Sequence, residues 1–190
     1  MNFTRTFIVD IARALAGLGI ASWLPDLPGT GESLRELSDI GWDDWRDAAR
    51  TAGETVATHS GRKPHVIALR GGTLLSDAVD ARSWWSFAAA SGASLLRDLQ
   101  RTQLITDRGN PSRSMPHGSH YAGYSLSLAM REGLGTAVEP APSGPHREAP
   151  LDLQDSRSRL WRRAEPGRDR ELSEALAADI AAWINSCEPR

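Results

Sequence analysis

Cysteine is almost missing from this chain: Cys187, close to the C-terminus, is the single one. An internal disulfide is therefore excluded, a reducing compartment is the natural home, and a thiol so near the chain end is a poor nucleophile candidate. Lysine is as scarce, with Lys63 alone among 22 basic residues. An excess of one charge sign is lacking too. The 22 basic and 24 acidic residues are mixed along the sequence and leave a net charge of -2, too weak a field to draw the protein to nucleic acid or anionic lipid. Long hydrophobic runs are absent: Arg5, Asp10 and Arg13 interrupt the N-terminal stretch, which resembles neither a signal peptide nor a membrane span. A cytoplasmic location is expected, with no nucleic-acid partner, no membrane span and no cofactor.

What is present reads as one α/β domain over residues 1–190, a length that suits a single core. Phe7, Ile11, Leu15 and Leu18 recur at helical spacing and Gly19 follows as a left-handed cap. Ile20 to Leu24, ended by Pro25, reads as a buried strand, and Trp42 to Thr58 as a helix closed by Gly61. His65 to Leu69 is a second strand, Arg70-Gly71-Gly72 a tight turn, and Thr73 to Ala81 a helix. A strand from Trp84 to Ala89 precedes a helix marked by Leu95, Leu96, Leu99 and Leu104. Residues 107–120 are rich in Gly, Pro, Ser and Arg without apolar period, and 105–135 is a candidate lid or loop insertion. A short helix from Ser127 to Leu134, strands near 149–153 and 160–164, and a helix striped by Leu172, Leu176, Ile180, Trp183 and Ile184 complete the pattern. Alternating strands and helices imply a mostly parallel sheet with helices on both faces.

Two segments together resemble the α/β-hydrolases. Residues 24–33, LPDLPGTGES, are similar to that fold's strand-end loop with an Asp and spaced glycines, and His65 to Gly72 stands at the place of the nucleophile elbow. More narrowly, DLPGTGES, GWDDWRDAA, ALRGGTLL, SGASLLRDLQRTQL, AGYSLSLAMREGL and LWRRAEPGRD, in this order over nearly the whole chain, resemble the hydrolase-like proteins associated with the exosortase A system and bacterial exopolysaccharide genes. The resemblance implies a reduced α/β-hydrolase core and a role tied to exopolysaccharide production or sorting; the hydrolase label follows fold and fixes no substrate. It also implies strands before the first helix, whereas Met1 almost begins that helix, so a misplaced gene start or a truncated sheet is expected. A truncated sheet would expose an edge, covered by homodimerisation or left as a source of instability.

The elbow needs small residues around a sharp turn and a central serine aimed at a base and an oxyanion hole. Here the turn is Ala68-Leu69-Arg70-Gly71-Gly72. A guanidinium stays protonated and has no lone pair with which to attack a carbonyl, so acyl-enzyme chemistry at Arg70 is not expected. Two roles stay open. With Gly71 and Gly72 at a helix start, Arg70 could hold a phosphate, sulfate, sugar acid or carboxylate, or it could form a structural pair with a carboxylate such as Asp26.

The region where a triad histidine is expected, 164–169, holds none. Glu165 is a candidate general base for water, or simply a helix-start acid. Asp152 and Asp155 occupy the rough place of a triad acid with nothing to orient. His117 and His120 lack the further ligands of a zinc site. Ser33, Ser76 and Ser91 read as cap or turn residues, and Trp84 and Trp85 must point to opposite faces of their strand. Two functional classes remain: an atypical hydrolase acting on an anionic or acylated saccharide, and a non-catalytic relative that binds such a ligand or a partner protein.

Overall fold

The structure is a computed structural model that describes residues 3–108, 120–121, 123–155 and 169–188. Helix α1, Phe3–Gly17, forms where the four-residue apolar spacing predicts it and buries Phe7, Ile11 and Leu15. Gly19 stops it at φ +78°, a region that a side chain would strain. Leu18 does not join the buried stripe.

The strand expected over Ile20 to Leu24 does not form. Trp23 and Leu24 are 52% and 37% exposed. A strand exists only through its ladder, and among the described residues no strand pairs with this segment. The Ile20 N–H instead returns to the carbonyl of Leu15 at 3.0 Å, and Pro25 has no N–H to offer. The chain then folds into a turn-rich loop and a short 3₁₀ segment, Leu37–Asp39.

Helix α2, Trp42–Ser60, begins where Asp44 accepts the N–H of Gly41 at 2.8 Å, a bond that holds its carboxyl below the usual range. It ends in the left-handed Gly61. The sheet follows. Strands β1, His65–Leu69, and β2, Ser83–Phe87, pair in parallel with His65 opposite Ser83 and Leu69 opposite Phe87. Helix α3, Gly92–Arg108, leads to a two-stranded antiparallel hairpin, β3, His120–Tyr121, and β4, Tyr124–Ser125. Helix α4, Leu128–Thr136, is capped by Ser127, whose hydroxyl accepts the Met130 N–H. Strand β5, His146–Glu148, then pairs with the far side of β2, giving an all-parallel order β1-β2-β5. The protein is thus mixed α/β with a small parallel sheet.

Where a strand is expected near 149–153, the ladder ends at Ala149, whose N–H donates to the Ser86 carbonyl at 2.9 Å. Pro150, which has no N–H to offer the ladder, follows, and helix α5, Leu151–Asp155, begins directly after it. The candidate strand at 160–164 lies outside the described residues. Helix α6, Arg170–Cys187, carries the C-terminal stripe; Asp169 caps it by accepting the Leu172 N–H. No helix among the described residues is long and apolar enough to cross a membrane.

The buried apolar residues form two cores, the first of them packed on the sheet. One joins α1 and α6 to Leu69, Trp85 and Phe87; the other gathers Ile40, Leu74, Tyr121, Leu126, Met130 and Leu134. Gly92 lets α3 meet α4, since a Cβ there would lie 1.7 Å from the Leu134 carbonyl oxygen. Both expected tryptophans are core residues on opposite faces. Trp84 donates its indole N–H to the Ser76 carbonyl, and Trp85, fully buried, donates to Asp179 of α6 at 2.8 Å. Asp179 also takes two bonds from Arg147 of β5, at 2.5 and 3.2 Å.

At the amino edge of the sheet the last turn of α6 is pinned. His65 Nδ1 is 2.8 Å from Ser83 Oγ, its Nε2 is 3.1 Å from Glu188, and Arg82 Nε donates to the Cys187 carbonyl at 2.9 Å.

Asp179→Ala strands the buried Trp85 N–H and is expected to lower stability by about 1–3 kcal/mol in denaturant melts, whereas Arg147→Ala, at a more exposed partner, costs less. Glu188 has its carboxyl held below the usual range, first by the His65 hydrogen bond. That contribution is complete above the ordinary carboxylate value and is lost as the pH falls through the depressed one. Glu188→Gln should therefore melt below wild type at neutral pH, with the gap closing in acid.

Candidate functional site

The carboxyl end of a parallel sheet is where ligands of α/β proteins bind. Here it is the strained part of the backbone. Leu69 is extended, but Arg70 takes φ +50°, and Ala88, directly after β2, takes φ +55°. Leu69 and Phe87 are register partners, so the two left-handed residues stand next to each other at neighbouring strand ends. Outside glycine such a conformation costs about 1–3 kcal/mol and persists only where the surroundings enforce it.

After Arg70 the chain does not enter the α-helix expected from Thr73. Arg70–Ala78 is a 3₁₀ helix. Gly71 and Gly72 are weak helix formers, and the hydroxyls of Thr73 and Ser76 bond back three residues to the carbonyls of Arg70 and Thr73, both at 2.8 Å. These i to i−3 bonds reinforce the tighter winding. The turn therefore opens onto a 3₁₀ segment and lacks the expected α-helical start whose free N–H groups would favour an anion.

The side chain of Arg70 is 24% exposed, and its Nη2 lies 3.5 Å from Asp98 Oδ2 on α3. Asp98 is half-exposed, which makes this a loose, solvent-screened pair. Gly71 backs onto Leu95 of α3, while a Cβ at Gly72 would meet nothing within 4 Å. Asp26 serves elsewhere: its carboxylate pairs with Arg5 of α1 and accepts the Glu32 N–H at 3.3 Å, shaping the loop in which Gly31 must stay small to clear it. Asp152 is exposed in the first turn of α5. Glu165 and His117 lie outside the described residues, as do the side chains of Asp155 and His120. The structure thus brings Arg70, Gly71 and Gly72 together at one turn and gives Asp26 and Asp152 to other places.

Ser33 accepts the Gly29 and Arg35 N–H groups, Ser76 bonds inside its own turn, and Ser91 accepts the Ser94 N–H. Two serine–histidine contacts escaped the sequence reading. One is Ser83–His65, extended to Glu188, with Ser83 wholly buried. The other is Ser86 Oγ, 3.3 Å from His146 Nε2, beside a cavity of about 10 Å³. Ala68, Trp84, Trp85, Glu139 and Pro142 are among its walls. That volume is about one water molecule. Burial, then Glu148, pushes the Glu139 carboxyl above its usual range, with His146 opposing. Only the parallel pairing of β2 with β5 joins these residues, and His146 lies in a Pro/Gly-rich stretch that carries no strand signal. Among the described residues no three His, Cys, Asp or Glu side chains could hold a metal ion.

Comparison with protein-family models, with curated proteins and with solved structures finds no match to this chain.

Two measurements probe this region. Because φ +50° suits glycine, Arg70→Gly is expected to be more stable than Arg70→Ala by about 1 kcal/mol in chemical melts; equal stabilities would remove backbone strain from the turn. For Glu139 the folded-state value is raised, so the stabilising protonated form is complete below the ordinary carboxylate value and lost as the pH rises. Glu139→Gln should melt above wild type at neutral pH, and the difference should shrink in acid.

Proposed function

We propose that this is an α/β-hydrolase-like protein of bacterial exopolysaccharide or exosortase-type pathways that has exchanged nucleophilic chemistry at its elbow for the binding of an anionic saccharide, such as a sugar acid. One observation carries the reading: the strained residue after β1 is a cation, Arg70, held beside a half-exposed carboxylate that an incoming anion can displace. A guanidinium cannot form an acyl-enzyme, but its planar fork matches carboxylate and phosphate. The neighbouring Ala88 strain and the open space at Gly72 support a ligand approach at this edge.

A hydrolytic reading has one specific observation in its favour, the Ser86–His146 contact, although Ser86 is 4% exposed beside a cavity of water size. The two readings separate in one set of experiments. Wild type is expected to show no turnover of short acyl nitrophenyl esters and no fluorophosphonate labelling. Calorimetric titration with glucuronate is expected to give binding that Arg70→Ala weakens by roughly tenfold or more, the scale of one lost charge-assisted contact, and that Asp98→Ala tightens. Labelling of Ser86, abolished by Ser86→Ala, would overturn the non-catalytic reading. Glucuronate binding unchanged by Arg70→Ala would overturn the anion site.

A further inference from the structure

The two faces of the parallel sheet are covered differently. Trp85 and Arg147, which are register partners, point to the face on which α6 packs. Ala68, Trp84, Ser86 and His146 alternate to the other face. Over β2 and β5 that second face lies under the connection from α4 to β5, whose Glu139, Pro140 and Pro142 wall the same cavity as Ser86 and His146. The connection rests on Trp84, since a Cβ at Gly144 would come within 3.0 Å of the indole ring.

This strap is fastened at its ends. The Gly92 N–H donates to the Ala137 carbonyl and the Trp84 N–H donates to the Pro145 carbonyl, both at 3.0 Å. Between these two points residues 138–144 make no hydrogen bond among the described residues, and nearly all of them are exposed, Val138 at 70%. A segment with few buried contacts and unpaired backbone opens at little cost. Pro140 and Pro142 stiffen it, because each fixes its own φ. The floor beneath is polar: Ser86, 4% exposed, has its Oγ 3.3 Å from His146 Nε2, beside a space of about 10 Å³.

We infer that residues 138–144 form a lid, hinged at Ala137 and Pro145, that lifts off the sheet and turns the water-sized space above Ser86 into a cleft open to solvent. Charge at Glu139 biases it. The Glu139 carboxyl faces Glu148 and His146 of β5; burial and Glu148 work against its ionised form, while His146 favours it. The protonated carboxyl's contribution to closure is complete below the ordinary carboxylate value and is lost as the pH rises through the raised one. The inference goes beyond the elbow reading and does not depend on it.

Thiol labelling tests the lid. In a Cys187→Ser background, Ser86→Cys and, separately, Ala68→Cys place a thiol on the floor, and Ala177→Cys places one on α6 at a site 1% exposed. Circular dichroism verifies each fold, and Ala68→Cys carries the test if Ser86→Cys does not fold. With methyl methanethiosulfonate at neutral pH the floor thiols are expected to react faster than global unfolding allows, whereas the α6 thiol reacts only at the global rate. Adding Pro140→Gly with Pro142→Gly is expected to change the floor rate by roughly tenfold, upwards, by freeing the strap backbone, and adding Glu139→Gln to slow it. Floor thiols that react no faster than the α6 thiol would overturn the lid, and so would a floor rate indifferent to the proline substitutions. A floor rate that Glu139→Gln leaves unchanged would overturn the charge bias.

Discussion

The hydrogen bond from Trp85 to Asp179 fixes what the rest of the fold is built against. Trp85 sits at the middle of the central strand and is wholly buried, so its indole N–H must find a partner on α6 or go unpaired. Asp179 is in turn committed to Arg147 of β5. One carboxylate thereby sets the distance between α6 and two of the three strands. Once β2 is held in this way its alternate face is fixed as well: Trp84 reaches the carbonyl of Ser76 and positions the 3₁₀ segment that follows the Arg70 turn. The strained turn is therefore supported through β2 from both faces of the sheet.

That support gives the strain a physical basis. Ala68 and Leu69 are buried on the strand side of the turn, Gly71 touches Leu95, and Thr73 is buried with its hydroxyl bonded to the Arg70 carbonyl. Arg70 has no room to relax its backbone without breaking these contacts. Its charge reaches Asp98 at the end of the strand, the same end at which Ala88 is strained. Conformational strain and a half-buried cation coincide at the place where open α/β sheets receive ligands.

Much of the scaffold was legible in the sequence because it rests on periodicity and local caps. The stripes Phe7-Ile11-Leu15 and Leu172-Leu176-Ile180, the Gly61 stop and the strand His65–Leu69 all depend on residues close in sequence. What failed to show depends on partners far away. Ile20 to Leu24 has strand composition without a ladder to join, and β5 has strand geometry without strand composition, because its polar residues are carried by pairing to β2. The winding after Arg70 was decided by hydroxyl back-bonds that an apolar pattern does not report. At the candidate site the same division holds. The cation at the turn after β1 could be read from five consecutive residues, whereas Asp98, His65 and His146 acquire their places only through the tertiary fold.

The pin at the amino edge of the sheet has a consequence for the order of assembly. His65 waits for Glu188 across 123 residues, Arg82 waits for the Cys187 carbonyl across 105, and Trp85 waits for Asp179 across 94. During synthesis β1 and β2 emerge well before any of these partners, and closing loops of such length is slow. These three contacts therefore cannot close until the final helix has been made, and that helix acts as the clasp that completes the packing of the sheet.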